Sequence, residues 1–234
     1  MSKENLQKLN ESLIKHLQLT NVRNAFYYEP LYDYYWTQKY KIGICNLEPY
    51  DNGLGKNLQG IKKVDDKVIV DYWYNSQTIQ RTLKMFQLIT KELNEGFVSD
   101  KDITECNNRN VDKVVEEDLG CSLYFNFRLT VGEHVDENKT QILNFYKDQF
   151  YIDYYKDFLK ETELNMLIIT GETGCNLINQ IFPEAKLKFN SEPVKIGNLV
   201  LCSSPHPASR NFSNKEMAEN MNKYFDFYWK TQNL

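Results

Sequence analysis

Asn165-Met166-Leu167-Ile168-Ile169-Thr170 runs straight into Gly171-Glu172-Thr173-Gly174 and a further segment reaching Ile181. An apolar run this short, bounded by a glycine-containing turn, reads as a buried strand, and the segment behind it as a short helix. A strand apolar along its whole length suits a parallel sheet covered on both faces. Three other stretches read the same way: 41–47 (KIGICNL), 121–125 and 198–203 (NLVLCS). Residues 68–73 read as one more extended piece.

Helical spacing fills the intervals. Leu6, Leu9, Leu13 and Leu17 predict a helix over 4–19, and Ile79, Leu83, Phe86 and Ile89 another over 78–93. Residues 140–159 read as a long aromatic-rich helix. Ser213 with Glu216 three residues on forms a capping box for a closing helix over 213–228. The charge-dense stretch 97–119 reads as an inserted loop with a short helix. Strands separated by helices predict an α/β fold, a three-layer α/β/α arrangement with a central four-stranded parallel sheet. No repeat or linker interrupts it, so residues 1–234 are expected to form one domain.

Composition excludes several classes. With 41% hydrophobic and 26% charged residues, the 234-residue chain has the material for a core and is not a disordered protein. A net charge of −4 provides no global basic field and argues against a protein that coats DNA unselectively, while leaving room for a local basic groove. Cys45, Cys106, Cys121, Cys175 and Cys202 show no C-x-x-C pair and read as reduced thiols. His16, His134 and His206 lie far apart in sequence, so neither a metal nor another cofactor is expected. Residues 1–12 lack the apolar core of a signal peptide, and no apolar run could span a bilayer. A cytoplasmic protein with no membrane partner, acting as a monomer, is the expectation.

Ligands of open parallel sheets lie beyond the carboxyl ends of the strands. Three such ends carry unusual polar sets: Asn46-Leu47-Glu48-Pro49-Tyr50, Asn126 with Leu129-Thr130-Val131, and Pro205-His206-Pro207-Ala208-Ser209-Arg210. A strand-end carboxylate alone is more often a helix cap than a catalyst, and a histidine between prolines more often part of a rigid loop. Their combination and order carry the signal.

Together the three segments resemble the uracil-DNA glycosylase superfamily. Its first motif, of the type Gly-Gln-Asp-Pro-Tyr, is matched by residues 46–50, with Glu48 at the carboxylate and Tyr50 at the tyrosine. Its Leu-Leu-Leu-Asn-x-x-Leu-Thr-Val motif is matched by Leu123-Tyr124-Phe125-Asn126-Phe127-Arg128-Leu129-Thr130-Val131, with His134 also in step. Its Pro-His-Pro-Ser-Pro motif is matched by Pro205-His206-Pro207-Ala208-Ser209. The resemblance spans roughly residues 42–222 and implies a DNA-binding hydrolase of base-excision repair that flips uracil out of DNA and leaves an abasic site.

The chemistry of the residues agrees. Breaking an N-glycosidic bond creates a cationic sugar and an anionic base. Glu48 is the carboxylate that would stabilise the cation and orient water, and His206 the neutral donor that would stabilise the anion. Asn126, a donor and an acceptor in one side chain, would read the pyrimidine edge, beside Asn46 and with Tyr50 excluding a C5 methyl group. Thr130, Ser204, Ser209 and Arg210 are the expected DNA contacts, with Ser203 and the rim lysine Lys56 as further candidates and Arg210 placed as a wedge or phosphate ligand.

This chain departs from the family in carrying Glu48 for the usual Asp and Ala208 for a serine. It also lacks a clear stacking phenylalanine after Tyr50; Tyr72, Trp73 and Tyr74 are alternatives that read better as core aromatics. These departures leave two other readings. One is excision of a modified pyrimidine, for example in foreign DNA; the other is an inactive glycosylase fold serving as a DNA- or protein-binding module.

Overall fold

Five strands form the main sheet of the computed structural model, which describes residues 2–22, 24–47, 60–99, 101–102, 109–130 and 147–232. In chain order the described elements are α1 (Ser2–Leu19), β1 (Ala25–Tyr27), β2 (Ile42–Asn46), β3 (Ile61–Lys63), α2 (Asp66–Asn75), α3 (Gln77–Glu95) and α4 (Val111–Val114). They continue with β4 (Leu123–Asn126), α5 (Gln149–Glu161), β5 (Met166–Thr170), α6 (Gly171–Ile181), β6 (Val194–Ile196), β7 (Leu199–Ser204) and α7 (Asn214–Gln232).

The sheet order is β4-β2-β5-β7-β6. The first four strands pair in parallel, and β6 joins β7 antiparallel at one edge. The expected four-stranded, all-parallel sheet is thus corrected to a five-stranded mixed one. Three residues, Val-Lys-Ile, make β6, too few for an alternation to register. A second, two-stranded parallel sheet pairs β1 with β3, and its strands are equally short.

The opening stretch shows why the layers pack closely. Gly171 starts α6 at a φ of 78°, the left-handed region that favours glycine. A methyl group on Gly174 would stand 2.8 Å from Ile169 Cγ2, so this glycine lets the helix lie against its own strand. Adjacent strand residues face opposite ways. Ile169 and Phe125 turn toward α6 and α5, where Phe125 packs against Tyr155 and Phe158. Their neighbours Thr170 and Asn126 turn the other way. α1 packs on α5 and α5 on α6, while α3 contacts α2, α7 and the turn that follows α4.

Three expectations are revised. Residues 68–73 lie within helix α2: the Asp65 carboxylate accepts the Val68 N–H, and this cap overrides the β-branched run Val68-Ile69-Val70. The long aromatic helix begins at Gln149, where Asp148 caps it by accepting the Phe150 N–H; residues 140–146 lie outside the described residues. Within 97–119 the expected short helix is present as α4, and with a π-helical turn over Val115–Leu119 it contributes Val111, Val114, Val115 and Leu119 to the core rather than to a solvated loop. Arg109 stands 2.7 Å from the buried Asp118 carboxylate and neutralises it.

The closing helix carries the expected capping box: Ser213 donates its N–H to Glu216 Oε2 at 2.7 Å, and Glu216 returns its N–H to Ser213 Oγ at 3.2 Å. Cys45, Cys121, Cys175 and Cys202 are free thiols. No described helix is long and apolar enough to cross a membrane.

Candidate functional site

At the carboxyl edge of the sheet, four adjacent parallel strands end in polar residues. Asn126 of β4 stands in register with Asn46 of β2, and Thr170 of β5 with Ser204 of β7. The two pairs are joined by the Thr170 hydroxyl, which donates to Asn46 Oδ1 at 2.8 Å. All four residues are buried, at 1% exposure or less. Burying polar side chains costs free energy unless each finds a partner, so their hydrogen bonds define what the row can do.

Asn46 is engaged at both ends of its amide. Its Nδ2 donates to Thr82 Oγ1 on α3 at 3.1 Å, and that hydroxyl donates onward to the Thr78 carbonyl at 2.8 Å. The chain runs in one direction, Thr170 to Asn46 to Thr82 to Thr78, and fixes the orientation of the amide. Thr170 occupies the N-cap position of α6 yet makes no capping bond there. Its hydroxyl serves Asn46 instead, forgoing a contact ordinarily worth about 1 kcal/mol.

Asn126 sits among tyrosines. Its Nδ2 donates to the Tyr28 hydroxyl at 2.7 Å, and the Tyr124 hydroxyl lies 3.1 Å from Nδ2 and 3.3 Å from Oδ1. The Tyr28 and Tyr124 rings meet edge to face with centroids 6.2 Å apart. From the other side, Tyr155 donates to the Asn126 carbonyl at 2.9 Å, fixing the backbone. Both ends of the buried amide are thus met by tyrosine hydroxyls, its Nδ2 by Tyr28 and Tyr124 and its Oδ1 by Tyr124.

His206 follows β7 by two residues. The Ala208 N–H donates to its Nδ1 at 3.2 Å, so the neutral imidazole carries its proton on Nε2. Burial pushes its pKa down from the ordinary histidine value, which favours that neutral form. The loop behind it is stapled from the side: Arg81 of α3 donates to the Ser209 carbonyl at 3.4 Å and to the Phe212 carbonyl, and stacks over the Phe212 ring at 5.5 Å. A turn bond from the Ser209 N–H to the His206 carbonyl, 2.8 Å, closes the loop.

Comparison with family models, curated proteins and solved structures finds no match.

Of the residues singled out from sequence, Asn46, Asn126, Ser204 and His206 lie at or just beyond the same sheet edge. Ser209 and Arg210 share the His206 loop, with Arg210 exposed. Thr130 lies four residues past β4, where its hydroxyl accepts from Arg128 Nε at 2.9 Å. Glu48, Tyr50, Lys56 and His134 lie outside the described residues.

Ser204 and Ser203 are buried at 0% and 2% exposure, and the Ser204 hydroxyl donates to the Pro205 carbonyl. Both belong to the packed strand end, so the phosphate contacts expected of them are revised. Tyr74 is 70% exposed and is no core aromatic; nothing of the Tyr72 and Trp73 side chains is described. Sequence reasoning missed Tyr28, Thr82, Thr170 and Arg81. Only Thr170 left a local signal, a hydroxyl closing an otherwise apolar strand.

Proposed function

We propose that this chain is a monofunctional DNA glycosylase that hydrolyses the N-glycosidic bond of uracil in DNA. The observation that carries the reading is the register of Asn46 with Asn126 at the carboxyl edge of a parallel ladder, with a half-buried histidine, its pKa pushed down by desolvation, two residues beyond β7. The parallel β4-β2-β5-β7 run within the five-stranded mixed sheet supports the α/β class that the sequence motifs imply.

Cleavage transfers the glycosidic electron pair to the base nitrogen, while water adds its oxygen to the sugar carbon and loses a proton. Asn126 reads the extruded base, which would displace the Tyr124 hydroxyl from its amide: an amide with a donor and an acceptor matches the N3–H and O4 edge of uracil and mismatches cytosine. The Nε2–H of His206 donates to the base oxygen where negative charge develops, and in a dry site such a donor acts mainly on the transition state. Glu48 stabilises the sugar cation and receives the proton of water. Asn46, with both amide ends engaged, is a positioning residue that fixes the strand end from which Glu48 follows. Ser209 and Arg210 hold the DNA backbone, and the protein acts as a monomer in the cytoplasm.

Single-turnover cleavage of a duplex carrying one uracil, read out by alkaline scission at the abasic site, tests this. The parent chain is expected to cleave, and His206→Ala to slow the chemical step by roughly 10²–10³-fold with little change in DNA affinity. Equal rates for the two would overturn the mechanism. A parent that binds DNA but cleaves no lesion would leave the inactive-module reading standing in its place.

A further inference from the structure

A cleft of about 770 Å³ opens at the end of the sheet opposite the strand-end row. Lys41 precedes β2, Leu164 and Asn165 precede β5, and Leu199 opens β7, so these wall residues come from the amino ends of the strands. Four lysines line the cleft, Lys39, Lys41, Lys156 and Lys160, against two acids, Asp157 and Glu163. Lys41 is buried, with its side chain 10% exposed, and its Nζ lies 2.5 Å from Glu163 Oε2. Glu163 itself holds a left-handed φ of 54°, a conformation that costs a non-glycine residue energy and accumulates where surrounding structure imposes it.

The other three lysines have no carboxylate partner among the described residues. Solvated lysines alone would make an ordinary charged surface. Here they surround an apolar wall in which Phe182 and Leu199 remain partly exposed over the buried Leu164. Asn165 adds direction: its Oδ1 accepts the Lys41 backbone N–H at 2.8 Å, which leaves the Nδ2 hydrogens for a ligand acceptor.

We propose that this cleft binds a small phosphorylated ligand with a flat apolar body, by class a nucleoside di- or triphosphate. The volume lies within the ordinary range for small-molecule sites, about 300–1,000 Å³. Four lysines against two acids leave the cleft lining a net positive charge that matches a polyphosphate better than a single carboxylate, and the Phe182 side of the wall takes the ring. This site is separate from the strand-end row and does not depend on the activity assigned there.

Isothermal titration of the full-length chain at low salt with ATP, AMP and inorganic tripolyphosphate provides the test. ATP is expected to bind saturably and roughly tenfold or more tighter than AMP, the equivalent of one good ionic contact. The exposed double variant Lys156→Glu/Lys160→Glu should weaken ATP by a similar factor with an unchanged circular dichroism spectrum, and Phe182→Ala should weaken ATP but not tripolyphosphate. Absence of saturable ATP binding, or unchanged affinity in the lysine variant, would overturn the proposal. Tripolyphosphate binding as tightly as ATP would remove the ring from it. Displacement of ATP by a DNA duplex would reassign the lysines to a nucleic-acid backbone, overturning the small-molecule site.

Discussion

Asn126 and His206 are held by different physical means. The amide of Asn126 is aimed by hydroxyls, with Tyr28 at 2.7 Å, whereas His206 is set by a backbone N–H on Nδ1 and by burial. Asn126→Asp removes the donor and adds an acceptor, or a charge, among tyrosine hydroxyls that can still donate. Uracil cleavage should fall, and the ratio of cytosine to uracil cleavage should rise, in matched single-turnover assays on the two duplexes. An unchanged ratio would mean that Asn126 does not read the base. Tyr28→Phe leaves the Asn126 donor without its nearest partner, and loss of one buried hydrogen bond should lower unfolding free energy by about 1–3 kcal/mol, measured by urea denaturation.

Helix α3 places Thr82 under the polar row and Arg81 against the His206 loop, and it also carries a buried acid. Glu92 is 4% exposed, and its Oε2 has no hydrogen-bond partner. Burial, reinforced by the Asp226 carboxylate on α7, pushes its pKa up to about 7. In an unfolded chain the same group titrates near 4.3. Between those values the folded state holds a proton that the unfolded state has released. The contribution of Glu92 to stability is therefore most favourable below about pH 4 and is lost as pH rises toward and through 7. Glu92→Gln should raise stability at pH 8 by on the order of 1–3 kcal/mol and flatten the pH profile between 5 and 8, as measured by urea midpoints. If the profile keeps its slope, Glu92 is already ionised in the native protein.

Over the whole molecule, a net charge of −4 repels DNA at long range, so the proposed DNA binding would have to come from a few local phosphate contacts. Affinity for a short duplex should fall as a power of salt concentration with a modest exponent, close to the number of phosphates neutralised. Arg210→Ala should lower that exponent by about 1, in fluorescence anisotropy between 50 and 200 mM salt. An exponent near zero would remove DNA from the proposal. The two ends of the sheet thus carry different chemistry: buried amides and hydroxyls at the carboxyl edge, and lysines around an apolar wall at the amino edge.

The sequence alone determined the parallel ladder, because 41–47, 121–125, 165–170 and 198–203 are apolar runs long enough to declare themselves and glycine or helical periodicity separates them. It also determined the closing helix, through a capping box whose chemistry is local, and it pointed to Asn46, Asn126 and His206 through motif order. Tertiary structure decided the rest. Strands of three residues carry no period, so β1, β3 and β6 exist only because a neighbour pairs with them. The helical state of 68–73 was settled by the Asp65 cap and by packing against α3, over a β-branched run that favours a strand. The partners of Asn46 and Asn126, namely Thr82, Thr170 and Tyr28, lie 36, 124 and 98 residues away along the chain. No local rule links residues so distant; the sheet register and the position of α3 bring them together.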